Sequence, residues 1–166
     1  MKRMEYNLNV LHFCFYRLHY KLHLHAKKKN PFYFIHNLPI QKRKYEELGI
    51  DIHKEIDQAF GHKEYGLSMT VAGGALIGIL FFFFLGTLKV LLKLFIGNIT
   101  LSAVHFIVCI VLSVALSYIF VFQKDKYLKY FEMFEVWKKA DKRKYSWVTF
   151  VFVLATFCLF TLSLLL

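Results

Sequence analysis

Residues 67–88 read LSMTVAGGALIGILFFFFLGTL and contain no charged side chain. A helix of this length is roughly 33 Å long at 1.5 Å per residue, which is enough to cross the hydrocarbon core of a bilayer. Two further stretches have the same character: TLSAVHFIVCIVLSVALSYIFVF at 100–122 and SWVTFVFVLATFCLFTLSLLL at 146–166. The sequence therefore predicts an all-α integral membrane protein with three transmembrane helices.

The composition leaves little room for a separate catalytic domain. Of the 166 residues 57% are hydrophobic, whereas soluble domains contain about 45–50%. We expect residues 1–66 to form a basic, aromatic-rich cytoplasmic helical region with amphipathic character. Residues 67–166 form the predicted transmembrane region, with a cytoplasmic loop at 123–145. The sequence has no G-x-S-x-G, P-loop or H-E-x-x-H motif, so we expect a protein that is not an enzyme.

The cysteines argue against disulfide bonds, and the N-terminal residues argue against a cleaved signal peptide. Cys14, Cys109 and Cys158 are odd in number and widely scattered, which argues against a disulfide framework. The first 30 residues lack the apolar run and the small-residue cleavage site of a signal peptide. We therefore expect the first span to act as the insertion signal and to be retained.

The positive charges predict the orientation. Of the 22 Lys and Arg residues, 12 precede the first span and 8 lie between the second and the third. Because positive residues accumulate on the cytoplasmic side, the N-terminus and the 123–145 loop are predicted to be cytoplasmic. The 89–99 connection and the C-terminus are then predicted to face outward. Lys89 and Lys93 are expected to extend to the outer headgroups from a first helix that continues to about Phe95.

Residues 7–25 have the pattern of an amphipathic helix. Leucine and phenylalanine recur at helical spacing along one face, at Leu8, Leu11, Phe15, Leu18 and Leu22. Histidine and tyrosine line another face, at His12, Tyr16, His19 and His23. Two interpretations remain open: the apolar stripe lies on the membrane surface, or it packs against the protein's own cytoplasmic helices.

The segment before the first span and the segment after the second span also carry helical signals. Pro31 and Pro39 predict a connector, and helices are expected at 40–48, ended by Gly49, and at 52–60, capped by Asp51. The 123–145 segment has a helical stripe of aromatic residues and contains neither glycine nor proline. We therefore expect the second span to continue unbroken into the cytoplasm before the chain turns back near 140–145.

Small and polar residues recur every four positions in the first two spans. The first span carries Thr70, Gly74 and Gly78, and the second carries Cys109, Ser113 and Ser117. Small residues at this spacing let helices approach closely, so both rows are predicted to pack against each other or against a partner's span. His105 precedes the second row and is the titratable side chain inside a predicted span. A structural hydrogen bond explains it better than a proton relay, because the spans contain no carboxylate.

The remaining histidine and lysine clusters have less specific interpretations. His19, His23 and His25 lack the glutamate and third ligand of a catalytic zinc motif, and we expect no metal and no cofactor. The basic runs lie beside the spans, where anionic lipid headgroups explain the net charge of +11 better than nucleic acid does. The predicted headgroup-binding residues are Lys27, Lys28, Lys29, Lys42, Arg43, Lys44, Lys142, Arg143 and Lys144.

These patterns favour a scaffold or an accessory subunit of a membrane assembly. Its partners would be the lipid bilayer and, through spans one and two, further copies or a different membrane protein. Two other functions stay open. A homo-oligomeric pore or holin-like permeabilising protein would line its lumen with the row from His105 to Ser117. A membrane metal- or haem-binding protein would use the histidines.

Overall fold

A computed structural model of the chain describes residues 2–27, 35–36, 38–97 and 101–165. Over these ranges the ordered elements are helical. They are α1 Lys2–Lys27, α2 Pro39–Glu47, α3 Ile52–Gly61, α4 Leu67–Phe95, α5 Ala103–Ser117, a π-helical turn Tyr118–Phe122, a 3₁₀ turn Gln123–Asp125, α6 Lys126–Glu135 and α7 Lys139–Leu165.

The backbone contacts divide the chain into two compact units. Unit 1 consists of Met1–Cys14 and Gly73–Leu166, and unit 2 consists of Phe15–Ala72. Each unit therefore takes one end of helix α1, and each has its own set of side-chain contacts.

Within the described ranges, three stretches of helix are long and apolar enough to cross a membrane. They are Leu67–Phe95, Ala103–Glu135 and Lys139–Leu165. The all-helical architecture with three candidate spans is thus confirmed, and it indicates a membrane location. Helix α4 extends to Phe95, as the predicted outward extension of Lys89 and Lys93 requires.

The predicted short helices before the first span are confirmed. Helix α2 begins with a proline, which lacks the backbone donor that a first helical residue leaves unused. Gly49 follows it with φ of 65°, a left-handed conformation that glycine adopts without strain. Asp51 then accepts hydrogen bonds from the backbone nitrogens of His53 and Lys54 at the start of α3. The expected connector between Pro31 and Pro39 lies mostly outside the described residues.

The long helices bury small polar residues and expose large apolar ones. Ser113 and Ser117 of α5 are fully buried, as are Thr156 and Ser163 of α7. Most valine, leucine, isoleucine and phenylalanine side chains of α5 and α7 are exposed. A helix surrounded by water shows the opposite distribution, whereas hydrocarbon is a good solvent for such side chains. The distribution supports a membrane environment for both helices.

The second span does not continue as a regular helix into the following segment. Its backbone passes through the π-helical turn and then through Lys124 and Asp125, which have φ of 58° and 50°. Residues without a glycine's freedom adopt this left-handed region at a cost. Helix α6 begins at Lys126 and ends at Glu135, so the helix stops before the predicted turn at 140–145.

Candidate functional site: two clusters along helix α1

The N-terminal half of α1 lies in a cluster of aromatic rings in unit 1. His12 is fully buried, and its ring centroid lies 5.3 Å from that of Phe131, 5.4 Å from Phe122 and 5.8 Å from Tyr127. Phe13 lies beside it and contacts Phe131 at 5.1 Å. The rings meet mostly edge to face, the geometry that the charge distribution of aromatic rings favours.

The cluster continues beyond the end of α6. Phe13 contacts Phe134 at 5.4 Å and Trp137 at 6.1 Å between ring centroids, and Trp137 stacks on Tyr145 at 4.4 Å. We call this set the aromatic cluster; its members are Tyr6, His12, Phe13, Phe122, Tyr127, Tyr130, Phe131, Phe134, Trp137 and Tyr145. It joins the N-terminal half of α1 to residues 122–145, which are more than 100 residues away in the sequence.

Polar contacts close one edge of the aromatic cluster. The Nζ of Lys126 lies 3.2 Å from Glu5 Oε2, and the Tyr130 hydroxyl donates to Glu5 Oε1 at 3.2 Å. The Tyr6 hydroxyl donates to that of Tyr145 at 3.3 Å. Burial, together with this hydrogen bond, raises the pKa of Tyr6 to about 12, so its hydroxyl is neutral at physiological pH.

Asn9 connects helix α1 to the π-helical turn. Its fully buried amide Nδ2 donates to the Phe120 carbonyl at 2.9 Å and to the Glu5 carbonyl at 2.8 Å. A π-helical turn disturbs the regular pairing of backbone carbonyls, and a buried carbonyl without a donor is costly. The Asn9 amide supplies such a donor at this position.

The C-terminal half of α1 carries a second cluster, in unit 2. The His23 ring stacks on Phe60 of α3 with 3.7 Å between centroids and an interplanar angle of 8°. Its Nε2 lies 3.3 Å from Asp57 Oδ1, and Lys27 Nζ donates to Asp57 Oδ2 at 2.7 Å. We call these residues the histidine cluster; its members are Tyr16, His19, Tyr20, His23, Lys27, Asp57, Phe60, Gly61 and Ser68.

The charges around Asp57 set its protonation state. Burial raises the pKa of Asp57, but hydrogen bonds from Lys27 and His23 and the charges of these groups lower it further than burial raises it. The net pKa of the carboxyl lies below its ordinary value, so Asp57 is ionised at neutral pH. Because an ionised carboxylate only accepts hydrogen bonds, His23 carries a proton on Nε2.

Further contacts hold both ends of this cluster. The Tyr16 hydroxyl donates to the Gly61 carbonyl at 2.6 Å, close to the end of α3. A Cβ on Gly61 would lie 2.8 Å from the end of the Tyr20 ring, so a larger residue there would require that ring to shift. His19 Nδ1 lies 3.0 Å from the Ser68 hydroxyl at the start of α4.

The two clusters contain the residues of the predicted histidine and tyrosine face of α1. His12 and Tyr16 are buried, whereas Leu18 and Leu22 of the predicted apolar stripe are 57% and 58% exposed. Self-packing of the stripe is seen at Leu8 and Leu11, which are buried. The sequence signal that could have indicated the aromatic cluster is the presence of aromatic residues at helical spacing both in α1 and in residues 127–137.

The predicted small-residue row of the first span is open over the described part of the chain. A Cβ added to Gly74 or Gly78 would meet no heavy atom of the described residues within 4 Å. Thr70, one turn earlier, is exposed. We call Thr70, Gly74 and Gly78 the open face. It lies on the surface of helix α4, and the predicted packing against a partner's span stays a prediction.

A different glycine marks the close approach between two long helices. A Cβ on Gly86 would lie 3.2 Å from both the Cα and the backbone nitrogen of Phe160, so α4 and α7 are in backbone contact there. Phe82 contacts Phe160 one turn away, with 5.0 Å between ring centroids. Residue spacing does not mark Gly86 in the sequence, because no small residue lies four positions before it.

The predicted polar row of the second span is buried. Cys109, Ser113 and Ser117 are at most 1% exposed, and Ser113 donates to the Cys109 carbonyl at 2.7 Å. His105 is the third residue of α5. Its Nδ1 accepts a hydrogen bond from the Ser102 backbone nitrogen at 3.1 Å and lies 2.8 Å from the Ser102 hydroxyl. His105 thus belongs to the start of the helix, where it helps to satisfy a terminal backbone group.

The predicted headgroup-binding residues differ in their surroundings. Lys27 is paired with Asp57, and Lys142 donates to the Glu135 carbonyl at 2.6 Å. Lys28 and Lys29 lie outside the described residues. The exposed members of the set are Lys42, Arg43, Lys44, Arg143 and Lys144.

Neither metal-ligating side chains nor a cleft defines a ligand site among the described residues. Within the described ranges, histidine, cysteine and carboxylate side chains form no group of three or more that could hold a metal ion. A cleft of about 350 Å³ lies between α2 and α3, lined by residues of both charges, including Lys42, Glu46 and Asp51. This mixed lining favours no single class of ligand.

No protein-family model, no curated protein and no solved structure matches this chain.

Proposed function

We propose that this chain is a non-enzymatic multi-pass membrane protein that serves as a scaffold or accessory subunit of a membrane assembly. The observation that carries the proposal is the open face of helix α4. Small residues four positions apart allow another helix to approach closely in a membrane. The open face therefore suits a helix from a partner chain.

The burial of the polar row of α5 favours a role in helix packing and argues against a role in lining a pore. In a homo-oligomeric pore, the row from His105 to Ser117 would face a water-filled lumen between copies. Ser113 and Ser117 are instead fully buried within a single chain. Serine and cysteine in such positions are common where membrane helices pack against each other.

The exposed basic residues support contact with anionic headgroups on the cytoplasmic side. Lys42 and Arg43 of α2 have their side chains more than 60% exposed, and Arg143 and Lys144 are exposed near the start of α7. A basic residue near an anionic surface contributes about 1 kcal/mol of binding free energy. The proposed orientation places the N-terminus inside and the C-terminus outside, following the distribution of Lys and Arg.

The test is the intact mass of the protein extracted from its native membrane in mild detergent. We expect a stoichiometric complex with a different membrane protein. The variant Gly74→Leu/Gly78→Leu should lose that partner, because two leucines fill the surface where the partner helix would approach.

Leu91→Phe is the matched control, since it adds bulk to an exposed position of the same helix away from the open face. It should retain the partner. A wild-type chain that runs as a defined homo-oligomer with nothing else bound, and that conducts ions in vesicles, would replace this proposal with the pore.

A further inference from the structure

We propose that the N-terminal half of α1 is a clamp that holds a bend in the second span, and that α5 and α6 join into one continuous helix when the clamp is released. The clamp consists of Glu5, Asn9, His12 and Phe13. The bend consists of residues 118–125. This inference concerns a conformational device within unit 1 and does not depend on the proposed function.

The residues in and around the bend contain no local sequence signal for breaking a helix. Residues 103–137 contain neither glycine nor proline, the two residues that normally break or kink a helix. Lys124 and Asp125 both adopt left-handed backbone conformations, which are unfavourable for residues with a side chain and rarely occur in succession. A continuous helix would remove this strain, so contacts from elsewhere must hold the bend.

The clamp supplies polar contacts on both sides of the strained residues. Asn9 donates to the Phe120 carbonyl before them, and Glu5 pairs with Lys126 and accepts from Tyr130 after them. Lys126 also donates to the Ile119 carbonyl at 2.9 Å, which spans the bend directly. These contacts tie the backbone on both sides of Lys124 and Asp125 to the clamp and to each other.

The clamp also supplies the apolar contacts that favour the bend. His12 contacts Phe122 on one side of Lys124 and Asp125, and Tyr127 and Phe131 on the other. A single buried ring thus bridges the π-helical turn and α6. Loss of the clamp would remove the polar and the apolar contacts together, and the intrinsic preference for a continuous helix would remain.

Spin labels on the two sides of the bend provide the test. Leu112→Cys and Met133→Cys place labels at exposed positions, in a full-length chain whose three natural cysteines are replaced by alanine. In a continuous helix the labelled backbone positions are roughly 32 Å apart at 1.5 Å per residue. We expect the reference protein to show a shorter distance, and Glu5→Gln/Asn9→Ala to show the long distance as its main population.

Two further variants separate the clamp from a general loss of structure. Asn7→Ala changes an exposed asparagine of the same helix and should keep the short distance. Adding Lys124→Gly/Asp125→Gly to the clamp variant should restore the short distance, because glycine adopts the left-handed conformation without strain. If the clamp variant loses its helical circular dichroism, Lys126→Gln replaces it and is expected to lengthen the distance in the same way.

The proposal fails if Glu5→Gln/Asn9→Ala folds and keeps the short distance, since the polar contacts of the clamp would then not hold the bend. It fails equally if the reference protein already shows the long distance as its main population.

Discussion

At the scale of single residues, the histidines of α1 act as packing and pairing groups within the chain. His12 lies among aromatic rings and His23 stacks on Phe60 while it bonds to Asp57. Histidine combines a flat ring with a polar edge, so it can take part in an aromatic cluster and in a hydrogen bond. In this chain the row of histidines therefore marks a surface of α1 that contacts other parts of the same chain.

Asp57 gives this contact surface a defined dependence on pH. Its pKa is lower in the folded protein than its ordinary value of 3.8, so the carboxylate stabilises the contact between α3 and α1 at any pH above that value. This contribution is lost as the pH falls below 3.8 and the carboxyl becomes protonated. We expect the backbone amides of α3 to exchange hydrogen faster, relative to their intrinsic rates, as the pH is lowered through this range.

Asp57→Asn tests this contribution at neutral pH. Partly exposed ion pairs contribute about 0.2–1 kcal/mol, so amide exchange in α3 should accelerate by up to about fivefold. Glu55→Gln is the control, because Glu55 is exposed on the same helix. Equal exchange rates in both variants and the wild type would show that Asp57 does not hold α3.

At the scale of elements, the glycines of α4 have two different roles. Gly86 lies against the backbone of α7, whereas Gly78 lies on the open face. We expect Gly86→Leu to lower the free energy of unfolding of the purified chain by about 1–3 kcal/mol, because a side chain there would force α4 and α7 apart. Gly78→Leu should cause a smaller loss, since a Cβ there meets no described heavy atom within 4 Å.

Reversible unfolding in mixed micelles, followed by circular dichroism, measures both variants. The comparison is internal to one helix and one type of substitution. A loss of stability in Gly78→Leu that equals the loss in Gly86→Leu would contradict the assignment of the open face.

The helices and their ends could be predicted from the sequence, because the signals for them are local. The apolar runs, Pro39, Gly49 and Asp51 each act on neighbouring residues, and the structure contains the helices that they indicate. The bend at Lys124 and Asp125 could not be predicted in this way. Its contacts come from Asn9, which is 111 residues from Phe120, and no glycine or proline marks the position.

The candidate sites could be predicted less well, because their contacts depend on residues that are distant in the sequence. Spacing identified Thr70, Gly74 and Gly78 as small residues on one face, but it could not show that this face is open. Spacing also could not show that Gly86 contacts α7, since that contact depends on how two separate helices meet. The histidine row was visible in the sequence, and the aromatic partners that bury His12 were not.

At the scale of the whole molecule, two features bear on membrane insertion: the exposed apolar surface and the position of the basic residues. Three stretches of helix are long and apolar enough to cross a membrane, and most exposed side chains of α5 and α7 are apolar. Nearly all Lys and Arg residues lie before the first span or between the second and third. A bilayer accommodates both features if the basic segments share the cytoplasmic side.

The most direct measurement is labelling of single cysteines in intact cells with a thiol reagent that does not cross membranes. Ile96→Cys and Lys144→Cys place exposed thiols after α4 and near the start of α7, in a chain whose natural cysteines are replaced by alanine. We expect the reagent to label position 96 in intact cells and position 144 only after the cells are opened. Labelling of position 144 in intact cells, with position 96 protected, would reverse the orientation. Labelling of both positions in intact cells would contradict an odd number of membrane crossings between them.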